Sequence, residues 1–209
     1  MPRPNRIQPD GTFLATPAQG GFMGNRGRLH DATGSIGPGL WQTKLWLTCT
    51  LRPKPGRPLQ GVTPPNGYTR LFFHDEAVAC AAGHRPCAEC RRAVYDDFRA
   101  AWARAFGQIP KATQIDATLH AARIDPATRR PRRHLAPVET LPDGAFLLWQ
   151  DRPHLVQGDR LLPYTPQGYA APVPRPHGIA TILTPEPLIR VMRQGWHPLL
   201  DPAADRPNW

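Results

Sequence analysis

The chain has 209 residues and a mass of 23.2 kDa, enough to bury a hydrophobic core as one domain or as two small ones sharing an interface. Twenty-six Lys and Arg against 16 Asp and Glu give a net charge of +10 and a sequence pI near 10.3, which fits a polyanionic partner or simply a basic, Arg-rich surface. The 27 Pro and 18 Gly fall short of a disordered composition, and no run of about eighteen apolar residues or N-terminal apolar leader is present, so the expectation is a folded, cytoplasmic protein with reduced thiols and no membrane span.

In chain order, Asp10-Gly11 marks a turn and residues 12–16 read as a strand. A glycine-punctuated stretch over 20–27 follows, with Arg26 and Arg28 beside glycine amides that can hold an anion, although no phosphate-loop pattern is present. His30-Asp31 stands at a strand end and reads equally as a turn or as a ligand. Residues 34–39 form a loop, and 40–51 alternate as a strand carrying Trp41, Trp46 and Cys49. Residues two apart share a strand face, so Cys49 is expected to point with Leu45, Leu47 and Leu51 toward the core, as a buried small hydrophobe or as a ligand. A basic Pro/Gly-rich connector over 52–67, with Arg52, Lys54 and Arg57, ends in an Asn66-Gly67 turn before a strand over 68–73.

Next comes the stretch in which the sequence points most directly to chemistry. A short helix over 75–82 is closed by Gly83 as its left-handed end, and Cys87-Ala-Glu-Cys90 follows. Two intervening residues let both sulfurs turn toward one point, the geometry of a thiolate-bound zinc or of a redox dithiol. A redox pair usually opens a helix after a strand; this pair follows a helix, which favours a metal knuckle over redox chemistry or an incidental pair. Cys80, inside the short helix among alanines, is expected to be structural.

Strand, short Glu-containing helix and Ala82-Gly83-His84-Arg85-Pro86-Cys87-x-x-Cys90-Arg91 together resemble the second half of the Ada-type metal-binding domain, the zinc module of methylphosphotriester repair proteins. That family writes the segment Ala-Gly-(Phe/Tyr)-Arg-Pro-Cys-x-x-Cys, so His84 stands where it has an aromatic. Residues 22–30 resemble the family's opening strand, which ends in a first ligand pair spaced (Cys/His)-x-x-x-Cys; His30 takes the first position and Gly34 the second. The layout of the whole chain also resembles a group of bacterial proteins of similar length. The resemblance implies a zinc site of His30, Cys49, Cys87 and Cys90, its negative charge balanced by Arg85, Arg91 and Arg92.

Beyond the knuckle, apolar spacing at Val94, Phe98, Ala101, Trp102 and Ala105 predicts a helix over 93–106, stopped by Gly107. A second helix over 113–123 buries Ile115, Leu119 and Ala122, and carries Asp116, His120 and Arg123 on another face; this row could orient a histidine as a base, or be solvated. Arg129, Arg130, Arg132 and Arg133, interrupted by Pro131, read as an exposed loop available to phosphates, or solvated without a partner. Short strands over 146–149, 154–157, 160–163 and 179–183 suggest a meander or small barrel, and a closing helix over 186–194 is capped by Thr184 and ended by Gly195.

The sequence therefore predicts an α+β protein: an Ada-like zinc-binding half over 10–106, a helical and Arg-rich connector over 107–140, and a β-rich half over 141–209. The function expected is a zinc protein that binds nucleic acid, DNA rather than RNA, in repair or processing, through Arg85, Arg91, Arg92 and the 129–133 loop. The alternative is a metal-dependent or His/Asp-dependent hydrolase or nuclease, with Asp31, Asp116 and His120 as candidate catalytic groups between the halves.

Overall fold

A computed structural model describes residues 2–52, 61–65 and 67–205; Lys54, Arg57, Asn66 and most of the expected connector lie outside the described residues. The fold is mixed α and β, with two sheets and four α-helices among the described residues. The first sheet contains β1 (Pro4–Ile7), β2 (Phe13–Ala15), β3 (Phe22–Asn25), β4 (Leu47–Thr50), β5 (Leu71–Phe73) and β6 (Arg85–Pro86), in the order β2-β1-β5-β3-β4-β6. Most pairs are antiparallel, but β1 runs parallel to β5 and β6 parallel to β4. Between β5 and β6 lies α1 (Glu76–Ala81), followed after β6 by α2 (Arg92–Phe106) and α3 (Ala112–Arg123).

The second sheet holds β7 (His134–Pro137), β8 (Phe146–Trp149), β9 (Arg152–Gln157), β10 (Arg160–Thr165), β11 (Gly168–Tyr169), β12 (Val173–Pro174) and β13 (Ile179–Ile182). Strands β8 to β11 form the expected meander; β13 then inserts beside β8, β7 closes that edge, and β12 pairs with β10. Helix α4 (Glu186–Met192) packs against α2 and α3, where Phe98, Trp102, Ile115, Leu119, Leu188 and Trp196 form one apolar cluster. A second cluster joins Leu71, Phe73 and Val78 to Phe146, Leu155 and Tyr164, so the two sheets share a core.

Two expectations are corrected, and one strand is new. The strand predicted over 40–51 is confined to β4, because the 40–46 segment folds back: Thr43 N bonds the Arg26 carbonyl at 3.2 Å, and the Trp46 indole N–H bonds Thr43 O at 2.8 Å. Thr184 does not cap α4. Its hydroxyl accepts from Phe146 N at 2.9 Å, and the helix starts after Pro185 and ends at Met192. Strand β1 was not anticipated, since Pro4, Asn5 and Arg6 carry little strand propensity.

Helix α1 is the joint between the sheets. The Asp75 carboxylate caps it by accepting from Val78 N at 2.9 Å, and also accepts from the Tyr169 hydroxyl at 2.6 Å and Asp201 N at 3.1 Å. Glu76 N donates to Leu199 O at 3.0 Å, and Leu199 N donates back to the Glu76 carboxylate at 3.0 Å.

Candidate metal centre

The knuckle is positioned by three local devices. Gly83 adopts φ +88°, which only glycine accepts readily, and a Cβ there would lie 2.6 Å from Arg123 Cδ. This turn delivers β6 alongside β4, with Leu47 opposite Arg85 and Thr48 opposite Pro86. Cys87 N then donates to Thr48 O at 3.0 Å, and Arg91 N donates to Cys87 O at 3.1 Å, closing the turn that brings Cys90 round.

As a result Cys49, Cys87 and Cys90 present their sulfurs within 4.8 Å of one another, the one such metal-capable group among the described residues. Tetrahedral zinc, with Zn–S near 2.3 Å, sets sulfurs about 3.8 Å apart, so the cluster needs little adjustment to close on an ion. Glu89 N points at Cys87 Sγ at 3.4 Å, a backbone donor that favours a thiolate. Hydrogen bonds from the Cys49 and Cys90 thiols hold Cys87 down to about 2, while Cys49 is pushed far above the ordinary thiol range by donating to the same partners. Ionising all three sulfurs together requires positive charge among them.

Cys49 does not face the core as expected. On β4 the fully buried residue is Thr48, whereas Leu47 and Cys49 on either side of it are only partly buried, so Cys49 lies on the face opposite the covered one. That orientation is what lets it meet the knuckle. Tyr68 stands within electrostatic reach: burial first, then the charges of the three cysteines, raise its phenol, and its side chain is 41% exposed at the rim.

His30 lies outside this group. Its Nδ1 takes a bond from the Thr69 hydroxyl at 2.7 Å, and its Nε2–H donates to the Pro64 carbonyl at 3.0 Å, which engages both nitrogens. Cys80 is fully buried within α1, as anticipated for a structural residue, and burial pushes its thiol up. The candidate acid–base groups do not converge. Asp116 is held by Arg85 through two 2.8 Å bonds in the interior, Asp31 caps its own turn by accepting from Thr33 and Ser35, and His120 packs edge-on against Trp41 with ring centroids 4.4 Å apart.

The arginines divide sharply. Arg85 and Arg91 are buried and ion-paired to Asp116 and Glu76, so neither guanidinium is available to a phosphate backbone. Arg92 is exposed and pairs with Asp96 one helical turn on. Arg129, Arg130 and Arg132 are exposed; Arg129 lies over the Trp41 ring at 4.9 Å, and Arg133 is half-buried, donating to Asp10 O.

Two further interior residues were not anticipated. His84 is fully buried, accepts from Arg26 Nε at 2.9 Å through Nε2, and donates from Nδ1 to Leu47 O at 3.0 Å. The Arg26 donor occupies the position where a second proton would sit, and burial together with the Arg26 charge holds this imidazole well below its ordinary range. Arg26, whose other donors go to Gly11 O and Ala82 O, is itself lowered to about 9 by burial.

No family model, curated protein or solved structure matches the chain.

Proposed function

We propose that Cys49, Cys87 and Cys90 hold one zinc ion, with the fourth coordination place filled by a donor from outside this triad and not by His30. The observation that carries this reading is the convergence of three sulfurs from two separate segments within 4.8 Å. Three soft donors select Zn, Cu(I) or an iron–sulfur cluster over hard cations. Zinc, when bound, supplies the charge that keeps three thiolates ionised together. The chain's own part is to aim the sulfurs through the β4–β6 ladder and to donate Glu89 N–H to Cys87. The order of strand, α1, Gly83 and knuckle supports placing the first sheet with Ada-like zinc modules.

We further propose nucleic acid, DNA in a repair or processing role, as the partner of this zinc protein. The exposed Arg92, Arg129, Arg130 and Arg132 and the net charge of +10 support it. A second reading draws on the same ligand count: three protein ligands leave a place for substrate, the arrangement of catalytic zinc sites. It would require an acid–base group beside the sulfurs, and Asp31, Asp116 and His120 are engaged elsewhere.

Metal analysis of protein purified without chelator is expected to give about one zinc per chain, and Cys49→Ser, Cys87→Ser and Cys90→Ser are each expected to lose it, with stabilisation on the order of 10 kcal/mol at stake. Cys80→Ser should retain the metal. X-ray absorption should count three sulfurs and one lighter donor. An imidazole in the shell that disappears in His30→Ala would return His30 to the ligand set, and metal-free protein with unchanged unfolding would end the proposal.

A further inference from the structure

The face of the second sheet turned away from the shared core is only partly covered. In the register of β8, β9 and β10, Trp149 lies opposite Arg152, and His154 lies opposite both Leu147 and Pro163, so these side chains stand on one face. Phe146 and Leu155, on the other face, belong to the core shared with the first sheet. Leu147, Val156 and Leu161 carry the first face into a third apolar cluster with Val138 and Ile182. Beyond that cluster the face is open. Trp149, Gln150, Arg152, His154 and Pro163 line a depression of about 610 Å³, rimmed by β12, a size that suits a small molecule.

Its polar groups are unengaged. His154 Nδ1 bonds the Arg152 carbonyl at 2.9 Å; a carbonyl only accepts, so the proton sits on Nδ1 and Nε2 offers a lone pair. That nitrogen has no partner among the described residues, yet it is not one of the orphan atoms sealed from solvent. Burial first, and the Arg152 charge with it, lower this imidazole despite the hydrogen bond to the Arg152 carbonyl, which favours the neutral ring. The Arg152 guanidinium is exposed and forms no ion pair among the described residues, and no carboxylate lines the depression. Trp149 is half-buried, with its ring against no other ring or guanidinium among the described residues. The two-residue turn between Trp149 and Arg152 has φ +50° at Gln150 and +60° at Asp151, where Asn-Gly is the usual solution, so a side-chain amide stands at the rim at some conformational cost.

An aromatic face, a neutral acceptor nitrogen and one unpaired cation are the contacts that a nucleotide uses: its base stacks, a base N–H is satisfied, and its phosphate is neutralised. A sugar would call instead for several acceptors for its hydroxyls, and the lining offers no carboxylate for them. We propose that this depression binds one unpaired nucleotide, free or within a single strand, with its base stacked on Trp149, a base N–H donated to His154 Nε2 and its phosphate against Arg152. A base paired in a duplex hides its faces in the stack and its pairing edge in the pair, so duplex is excluded. The site shares no residue with the cysteine centre; only the placing of the nucleotide within a strand rests on the nucleic-acid reading above.

The test uses the full chain, with AMP, adenosine, a short oligo-dA strand and its duplex as probes. In nitrogen–proton NMR spectra the indole signal missing from Trp149→Leu belongs to Trp149, and AMP and the single strand are both expected to shift it. Trp149→Leu should weaken single-strand binding roughly tenfold and leave duplex binding unchanged. Should that variant fail to fold, Arg152→Gln, a change at an exposed residue, keeps the test open: wild type should bind AMP more tightly than adenosine, and this variant should bind the two alike. A shift with AMP but no binding of any strand would support the site and remove the nucleic-acid reading. A strand that binds without moving the Trp149 signal, and equally well to Trp149→Leu, would overturn the site and leave that reading standing; no response to AMP or to either strand would overturn both.

Discussion

The neutral state of His84 makes a quantitative demand on stability. Its Nε2 accepts from a guanidinium and its Nδ1–H is taken by Leu47 O, so protonation would set two donors against each other in a fully buried site. The folded pKa is therefore depressed, while the unfolded imidazole titrates near 6.5. A group depressed in this way contributes its full stability above the unfolded pKa and loses it as pH falls toward the folded one. Each unit in that window costs about 1.4 kcal/mol, so acidification from about pH 6.5 to about pH 5 should remove roughly 2 kcal/mol through His84 alone. Urea unfolding at several pH values, on wild type and on His84→Gln, checks this. The variant is expected to be less stable near neutrality but to lose about 2 kcal/mol less on acidification. His134 and His154, also lowered by burial, contribute to both proteins and cancel in the difference. Parallel stability curves for the two proteins would refute the assignment of a neutral, donor-locked imidazole.

Glu76→Gln should cost about 3–5 kcal/mol of unfolding free energy in denaturant titrations, because it strands the Arg91 charge in the interior and weakens the acceptor for Leu199 N; a loss below about 1 kcal/mol would show the pair to be solvated. If nucleic acid is the partner, replacing Arg129, Arg130 and Arg132 by Ala should flatten the log–log salt dependence of binding by about one unit for each phosphate no longer neutralised, whereas wild type that retains no DNA at low salt would leave these charges as solubilising only.

The elements that local pattern defines were legible. Helices α1 to α4 and strands β8 to β10 and β13 follow from apolar periodicity and turn glycines, and the Cys87–Cys90 turn from spacing alone. What escaped was set by distant neighbours. Alternation on β4 says that Cys49 shares a face with Leu47, but not which face is covered, and burial of Thr48 decides it. Arg85 and Arg91 read as surface cations because arginine is usually exposed, and their carboxylate partners lie 31 and 15 residues away. His84 offered a signal that could have been used: the resemblance to the Ada-type pattern implies an aromatic at its position, and a ring at such a place packs inside, here against Phe73 and Trp46.

The first turn of α1 has a consequence for synthesis. The helix that leads into the metal knuckle starts on two carboxylates, and these take donors from Tyr169, Leu199 and Asp201 as well as from their own neighbourhood. A nascent chain that has emerged only as far as Cys90 already owns every sulfur of the centre, yet it lacks three donors for the residues on which the approach to that centre is built. On the zinc reading proposed above, local capture of the ion by the three thiols and final anchoring of the knuckle are thus separated by translation of the whole second sheet, and the segment that secures this turn leaves the ribosome long after the turn itself.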